Sequence, residues 1–508
     1  PDHLGAIWGN VCWPDPEYQR FLSACYEELF THFPGVAGFM TAAGEHNLDP
    51  SPRSVGVSGE KEARKKAKQE MLLDYLHFFV REMERRGKKS LVRTWYLPET
   101  DYPRLPKPTA FVQKYHVFDC VDAGMDPRNA PLWGCGTPCW QSFTHNGENA
   151  AQLIWFDAEY WKRIGRDLHE KQIPGAWIHD NTDWGNNGMA TPMQAWNLEA
   201  FLHYARHPED DPETLWRKRA TEVFGTEHAE MALGALKKIG HFVLNVSKVI
   251  YFWGEGYTWP GPCPVDADFH PDPFAILGEP SYTPPDWARG DVVRLADFLA
   301  WARVKPWTSF EAVRGAMVKQ GQRCPLGVFE TSRDLAAEAA ALITEALPRM
   351  PAEARGHAHA LRVSAEVARA HSEHLLNLCH ARLRIVAMRE GPNEGRRADL
   401  GWEAVRFHGA AVRALRAQVA WLNSYPHDTI DFGRWFRLSR PLFSSYLAAQ
   451  WTPLDVIEIE HENLLWFVRE LDPSRDESAS DPATEYPSLT GRPLPAPPPK
   501  GFKLRAES

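Results

Sequence analysis

The spacing of apolar residues changes once along this chain, and that change limits the folds that it can adopt. From residue 1 to about 225, apolar runs of strand length alternate with amphipathic segments of helix length. This alternation is typical of a parallel sheet covered by helices. From 226 to 471 the apolar residues recur with the 3.6-residue period of a helix. The sequence therefore predicts an α/β region followed by an all-α domain.

The α/β region is predicted to be a (β/α)8-type barrel. Its helices are clearest at 16–32, 60–87 and 157–171. Six strands do not close an eight-stranded barrel, so we expect the first two strands to precede Pro1 or to come from another chain. An open sheet is the alternative. The predicted strands are 3–11, 36–43, 89–97, 110–118, 139–145 and 175–180.

The helical domain, 226–471, is interrupted by a loop at 251–289 that begins YFWGEGYTWPGPCP. A long loop that is rich in aromatic residues is more typical of a functional segment than of a solvated connector. The tail, 472–508, is rich in proline and is expected to be extended or disordered. The predicted helices of the domain are 226–249, 290–303, 331–347, 352–390, 399–423, 439–450 and 454–471.

Charge and cysteine content argue against several classes of protein. A formal net charge of −9 disfavours a nucleic-acid partner or an anionic membrane surface. No apolar run approaches the roughly 20 residues that span a bilayer. Eight cysteines scattered over 508 residues form no legible disulfide framework, which mildly favours a reducing compartment such as the cytoplasm. Cys135, Cys139 and His145 lack a second cysteine pair at zinc-finger spacing, so neither a metal nor an organic cofactor is expected.

Acidic residues follow several of the predicted strands. Glu45 follows the apolar run GVAGFMTAAG, Asp119 follows FVQKYHVF, and Asp180 follows GAWIH. Hydrolysis of a glycosidic bond by inversion needs one carboxylic acid at the leaving oxygen and one carboxylate that activates water. Glu45 is the candidate acid and Asp119 the candidate base. The alternative for either residue alone is a helix cap or a surface ion pair.

Two cations interrupt apolar strands. Arg93 lies in LVRTWYL and Lys114 in FVQKYHVF, where a buried cation needs an anionic partner. That partner is either an internal carboxylate or the carboxylate of a uronic acid substrate, which arginine binds with two hydrogen bonds.

Tryptophans are frequent near the predicted strand ends, where they either stack on sugar rings or fill the core. The loop 251–289 is expected to fold over the open face of the barrel and contribute Trp253, Tyr257 or Trp259 to the pocket wall, so that only terminal sugars are removed. The tryptophans near the predicted strand ends are Trp95, Trp133, Trp140, Trp155, Trp177 and Trp184.

Several segments together resemble the barrel of the glycoside hydrolase family 67 α-glucuronidases, which release 4-O-methyl-glucuronic acid from the ends of xylan fragments. The segments are PDPEYQRFLSACYEELFTHFPGVAGFMTAAGE, the arginine in LVRTWYL, KYHVFD, and the stretch from GAWIHDNTDWGNNGMATPMQAWNLEAF to WRKRATEVFG. The helical domain of this chain resembles that of the family in architecture and not in sequence motifs. The resemblance implies that a β-domain and two barrel strands precede this segment.

The resemblance also implies roles for individual residues. Glu45 matches the general acid of the family, and Asp119 matches one of its two base carboxylates. The second base position falls on Asn146, and only a shift of two residues brings Glu148 to it. An asparagine cannot accept the proton, so either Asp119 is the sole base or Glu148 serves. The candidate substrate-binding residues are Arg93, Lys114, Trp95, His46, Asn146, Asp180, Trp184, Trp253 and Trp259.

The sequence thus predicts an inverting, exo-acting glycosidase that removes an α-linked glucuronic acid or a related acidic sugar. The expected partner is an oligosaccharide substrate. Two alternatives stay open, a catalytically inactive carbohydrate-binding barrel and a glycosidase for a neutral sugar. A homodimer formed through the helical domain is also left open.

Overall fold

A computed structural model of the protein describes eleven stretches of the chain, and every structural statement below concerns these residues. They are 16–42, 61–93, 103–115, 132–136, 153–170, 172–173, 175–179, 192–249, 324–390, 394–424 and 453–475.

The chain divides into two compact units. The first comprises residues 1–136 and 166–179, and the second comprises residues 137–165 and 180–508. The domain boundaries predicted near 225 and 471 stay predictions. The loop 251–289 and the tail beyond 475 lie outside the described residues.

The first unit contains a parallel sheet of five strands. They are β1 (Gly38–Ala42), β2 (Lys89–Arg93), β3 (Ala110–Tyr115), β4 (Leu132–Gly136) and β5 (Ala176–His179). Their order across the sheet is the order along the chain, and each neighbouring pair is parallel. After each strand, the chain therefore returns to the same end of the sheet before the next strand begins.

The prediction of a (β/α)8-type barrel with six strands is wrong. The described residues form a single five-stranded sheet, in which β1 and β5 are not paired, and most of the described chain is helical. The structure also contains β4 at 132–136, which was not among the predicted strands, and the predicted strand 139–145 lies outside the described residues. Apolar alternation reports parallel strands between helices, but closure depends on strand tilt and stagger, which the pattern does not contain. The predicted strand 3–11 lies outside the described residues.

Two helices cover one face of this sheet. They are α1 (Pro16–His32), predicted at the same bounds, and α2 (Lys61–Arg85). Thr41, Val92 and Phe111 are paired across β1, β2 and β3 and are all buried. Their row packs against the apolar side of α2, whose buried residues recur at helical spacing. Those residues are Met71, Tyr75, Leu76, Phe79, Val80 and Met83.

A glycine turn delivers the chain from α2 directly into β2. Gly87 has φ of 64°, a left-handed conformation that glycine adopts without steric cost. The Gly87 N–H donates to the carbonyl of Glu84, and the Lys88 N–H donates to the carbonyl of Met83. These two bonds are those of a Schellman motif, which satisfies the last carbonyls of a helix. The amino end of β2 is thereby placed beside α2.

A half-buried ion network fastens α1 to α2. The Arg86 guanidinium lies 2.7 Å from the Glu82 carboxylate and 3.1 Å from the Glu27 carboxylate, and it donates to the backbone carbonyl of Ser23 at 2.7 Å. The Ser23 hydroxyl also donates to Glu82. Burial opposes the charged form of Glu82, but the hydrogen bonds from Ser23 and Arg86 outweigh it and lower the Glu82 pKa.

Replacing Arg86 with alanine is expected to lower the free energy of unfolding by about 2–4 kcal/mol, because the largely buried Glu82 carboxylate would lose its buried cation and keep only the exposed Arg85. Urea unfolding followed by circular dichroism measures this loss. Arg85→Ala is the matched control, since Arg85 is the exposed neighbour and its ion pair with Glu82 is worth about 0–1 kcal/mol. Equal losses in the two variants would contradict this account of the network.

The second unit is built from helices. Helix α3 (Ala158–Glu170) belongs to it as far as Gly165. The remaining helices are α4 (Pro192–Tyr204), α5 (Pro212–Phe224), α6 (Ala229–Val249), α7 (Pro325–Ala346), α8 (Ala352–Glu390), α9 (Arg397–Asn423) and α10 (Pro453–Leu471), with short 3-10 turns at Leu347–Arg349 and Glu394–Arg396. Helix α8 has its predicted bounds, and α6, α7, α9 and α10 start or end within a few residues of theirs.

Candidate active site

All five strands of the sheet end at one edge, because all of them are parallel. Their last residues are Ala42, Arg93, Tyr115, Gly136 and His179. In open parallel sheets, ligands bind beyond the carboxyl ends of the strands. This edge is therefore the candidate active site, and it is also the edge from which the predicted catalytic segments leave.

Two of the predicted site residues lie within described strands. Arg93 is the last residue of β2 and pairs with Val112, and Lys114 pairs with Gly134 near the end of β3. Lys114 follows Val112 by two positions, and positions two apart on a strand belong to the same face. Arg93 and Lys114 thus occupy neighbouring strands at positions of the face opposite to the one covered by α1 and α2.

The other predicted site residues lie outside the described part of the chain, so their roles stay predictions. They are the catalytic candidates Glu45, Asp119 and Glu148, and the binding candidates Trp95, His46, Asn146, Asp180, Trp184, Trp253 and Trp259.

The carboxyl end of β1 is anchored by a buried hydroxyl pair. Thr41 Oγ1 and the Tyr75 hydroxyl of α2 lie 2.7 Å apart. Burial raises the pKa of Tyr75, and hydrogen bonds with Thr41 and Tyr26 partly offset that rise. Sequence reasoning missed this contact. The available signal was a tyrosine in the apolar stripe of α2, since a buried hydroxyl needs a hydrogen-bond partner.

A reciprocal pair of hydrogen bonds fixes β2 against the start of β3. The Ser90 N–H donates to Thr109 Oγ1 at 3.0 Å, and the Thr109 N–H donates to Ser90 Oγ at 3.1 Å. Register matters here because a slip of one residue would move each side chain to the other face of the sheet. These bonds therefore help to fix the register of β2 against β3, in which Arg93 lies opposite Val112 and Lys114 lies two residues further along β3.

Trp155, one of the tryptophans considered as a sugar platform, belongs to the core of the second unit. It is buried and stacks on Trp161, with ring centroids 6.4 Å apart. The buried Asn197 amide donates to the Trp155 carbonyl and accepts a bond from the Trp161 indole N–H. This arrangement is structural and leaves no face of Trp155 for a ligand.

The described residues contain neither a candidate metal site nor a candidate membrane-spanning helix. No group of three histidine, cysteine or acidic side chains among them lies close enough to hold a metal ion. None of the described helices is both long and apolar enough to cross a membrane.

Comparisons with known proteins show a likeness in fold alone. No protein family model matches the chain. No curated protein matches it either. Among solved structures, it is similar to a GH138 enzyme targeting pectin rhamnogalacturonan II, with a TM-score of 0.60 and 11% sequence identity.

That alignment covers 91% of this chain and 65% of the GH138 enzyme, so the chain spans less than two thirds of that protein. These comparisons do not support membership of family 67, and the resemblance to that family stays a prediction. At this identity the likeness concerns architecture. The chain has a fold similar to that of a glycoside hydrolase.

Proposed function

We propose that the protein is a glycoside hydrolase that acts on oligosaccharides carrying an acidic sugar. The observation that carries this proposal is the order of β1, β2 and β3. It makes the segment with the candidate acid, the strand with Arg93 and the segment with the candidate base consecutive along one edge. The likeness to a GH138 enzyme supports the same reaction class.

The ends of β1 and β3 are close enough for Glu45 and Asp119 to reach one substrate molecule. Neighbouring strands lie about 4.8 Å apart, and β3 continues three residues beyond Val112, which is level with Ala42, so the ends of β1 and β3 are separated by about 14 Å. Glu45 follows Ala42 by three residues, and chain connectivity keeps it within about 11 Å of that strand end. Asp119 follows Tyr115 by four residues, within about 14 Å. Two carboxyl groups roughly 6.5–9.5 Å apart leave room for the water that inversion requires.

Each residue has a defined chemical task in this mechanism. Glu45 would donate a proton to the leaving glycosidic oxygen, and Asp119 would take a proton from the attacking water on the opposite face of the sugar. Glu148 is the alternative base. Removal of a terminal sugar follows if the aromatic loop 251–289 closes one end of the cleft.

Specificity for an acidic sugar would come from Arg93 and Lys114. Arg93 ends β2, the strand between β1 and β3, and Lys114 lies near the end of β3. A guanidinium binds a carboxylate with two hydrogen bonds, whereas an ammonium acts as a point charge. The proposed substrate is therefore a terminal α-linked uronic acid, with glucuronic acid as the first choice. Xylan fragments and pectin rhamnogalacturonan II are the polysaccharides to test.

Replacing Arg93 with glutamine tests this specificity. We expect the KM for an acidic substrate to rise about 10–100-fold, because a charge-assisted hydrogen bond contributes roughly 1.5–3 kcal/mol to binding. Hydrolysis of the substrate analogue whose carboxylate is reduced to an alcohol should change little. Steady-state kinetics on the matched substrate pair measures the difference.

Lys89→Gln is the matched control for that experiment. Lys89 is exposed and stands at the amino end of the same strand, in a position of the same face as Arg93. Its replacement should leave kcat and KM unchanged for both substrates. If Arg93→Gln lowers activity equally on the acidic and the neutral substrate, Arg93 does not bind the carboxylate, and a glycosidase for neutral sugars becomes the better proposal.

A further inference from the structure

Helices α8 and α9 of the second unit pack antiparallel, and histidines of α8 make polar contacts along their interface. His371 Nδ1 lies 3.1 Å from Gln418 Oε1, and His374 Nδ1 lies 2.9 Å from the carbonyl oxygen of Ala411. The Ala411 carbonyl can only accept, so Nδ1 of His374 carries the hydrogen. Both rings are completely buried, and their centroids lie 6.0 Å apart.

The same interface contains a third histidine, two turns further along α8. The His380 ring stacks on Phe407 of α9, with centroids 4.8 Å apart. Arg384 also lies over the Phe407 ring, 4.8 Å from its centroid, and its guanidinium is 3.2 Å from the Glu403 carboxylate. We refer to His371, His374 and His380 as the histidine seam.

Burial keeps His371 and His380 neutral. It lowers the pKa of His371 well below the ordinary value, and the neighbouring His374 lowers it further, while the bond to Gln418 acts in the opposite direction. Burial, followed by the positive charge of Arg384, lowers the pKa of His380 to about 4. Protonation of either ring would place a cation in a packed apolar interface, and protonation of both His371 and His374 would add repulsion between like charges.

The elements packed against α8 and α9 bring charged groups that are engaged with one another. Arg416 of α9 lies 2.7 Å from Glu458 of α10, and both side chains are buried. Arg369 of α8 contacts Glu366 at 2.8 Å and Glu373 at 3.5 Å.

Two further elements and three further histidines face this region. Arg333 of α7 contacts its neighbour Asp334 at 2.8 Å. His241 of α6 bonds to a serine of α7, and its neighbour Phe242 makes an edge-to-face contact with His371. His408 of α9 and His461 of α10 stack with centroids 5.5 Å apart. The strongest influences on the His371 pKa are burial and another histidine, so acid has a destabilising effect here.

We propose that the histidine seam is an acid-sensitive latch, which holds α8 against α9 while its rings are neutral and releases them when the rings take up protons in mildly acidic solution. The proposal is independent of the glycosidase assignment, because it concerns packing within the helical unit. It gives the fold a conformational response to pH that isosteric neutral side chains would not give.

The sign and size of the response follow from proton linkage. A histidine released from the interface protonates near pH 6.5, whereas the packed ring stays neutral, so the open state gains protons as the pH falls. Between pH 7 and pH 5, each such histidine raises the equilibrium constant for opening about 25-fold, and His371 and His380 together raise it about 600-fold. The response ends below the pKa of the packed rings.

Hydrogen exchange of the whole chain, followed by mass spectrometry, measures this opening. Peptides from α8 and α9 should lose two to three orders of magnitude of protection between pH 7 and pH 5, after correction for the intrinsic exchange rate. Peptides from α2 serve as the reference. The His371→Gln/His380→Gln double variant should lose most of this pH dependence. His207→Asn replaces an exposed histidine of the same unit and should behave like the unmodified protein.

Two results would overturn the proposal. One is a change in the protection of α8 and α9 of less than about threefold over this pH range in the unmodified protein. The other is an equal pH dependence in the double variant and the unmodified protein. If the double variant does not fold, the single His380→Gln variant replaces it, because the His380 ring is only partly buried. Between pH 7 and pH 5, the equilibrium constant for opening should then rise about 25-fold less than in the unmodified protein.

Discussion

Replacing Glu45 with glutamine is expected to lower kcat by about 10²–10⁴-fold on an oligosaccharide substrate, with little change in affinity. Glutamine keeps the size and polarity of the side chain but cannot give a proton to the leaving oxygen. The loss should therefore appear in the chemical step and not in binding. Stopped-time product analysis gives kcat, and isothermal calorimetry on the inactive variant gives the affinity.

The leaving group distinguishes an acid from other roles of Glu45. Nitrophenolate is a leaving group that departs without protonation. The Glu45→Gln variant should therefore hydrolyse a nitrophenyl glycoside far better than an oligosaccharide. Asp119→Asn should instead fail on both substrates, because activation of water is needed whatever the leaving group. This pair of variants assigns the two tasks separately.

Glu84→Gln provides the matched control, since Glu84 is an exposed residue near the end of α2. Its replacement should leave turnover and affinity unchanged. If Glu45→Gln keeps more than about a tenth of the wild-type kcat on the oligosaccharide, Glu45 is not the general acid. If the unmodified protein binds the sugar and shows no turnover, the protein is a carbohydrate-binding protein and not an enzyme.

The second large effect concerns the packing of the second unit at Gly165. Helix α3 approaches the end of α4 so closely that a β-carbon at Gly165 would lie 2.2 Å from the carbonyl oxygen of Tyr204. Gly165→Ala must therefore push the two helices apart, and Trp161 and Phe201 pack between the same helices. We expect a loss of about 3 kcal/mol or more in the free energy of unfolding, or a failure to fold.

Gly356→Ala is the control for Gly165→Ala. Gly356 lies in α8, and nothing stands within 4 Å of the position of an added β-carbon. Alanine there should stabilise the helix by about 0.5–1 kcal/mol, because glycine has the higher backbone entropy when unfolded. Urea unfolding followed at 222 nm compares the two variants. Stability changes of the same sign in both would contradict the packing described for α3 and α4.

The helices could be predicted from the sequence because their signals are local. The helix α1 begins at Pro16 after an aspartate and ends where its apolar period ends, and both bounds agree with the prediction. The long α8 was also predicted at its bounds, 352–390. Period and capping are properties of neighbouring residues, so no tertiary information is needed to read them.

The strand β4 and the form of the sheet could not be predicted in the same way. The β4 segment, LWGCG, contains two glycines, and glycine is depleted in strands. Its pairing with β3 is a tertiary contact, which the pattern of apolar residues does not report. Whether a parallel sheet closes into a barrel depends on the stagger of distant strands.

For the candidate site, the sequence predicted which strands carry charged residues but not how those strands are aligned. Arg93 and Lys114 were identified because cations are unusual in apolar strands. Their common face depends on the pairing of Arg93 with Val112. That register rests on tertiary contacts such as the Ser90–Thr109 bonds, which join residues far apart in the chain.

The most direct test of the central claim is proton NMR of the sugar released from a uronic-acid oligosaccharide by the unmodified protein. A glycosidase acting by inversion on a terminal α-linked uronic acid should release the free uronic acid monosaccharide, with its β-anomer appearing first and the α-anomer growing later by mutarotation. Release of the α-anomer first would contradict inversion. The absence of any released sugar from xylan fragments, rhamnogalacturonan II and neutral glycosides alike would contradict the proposal that this chain is a glycosidase.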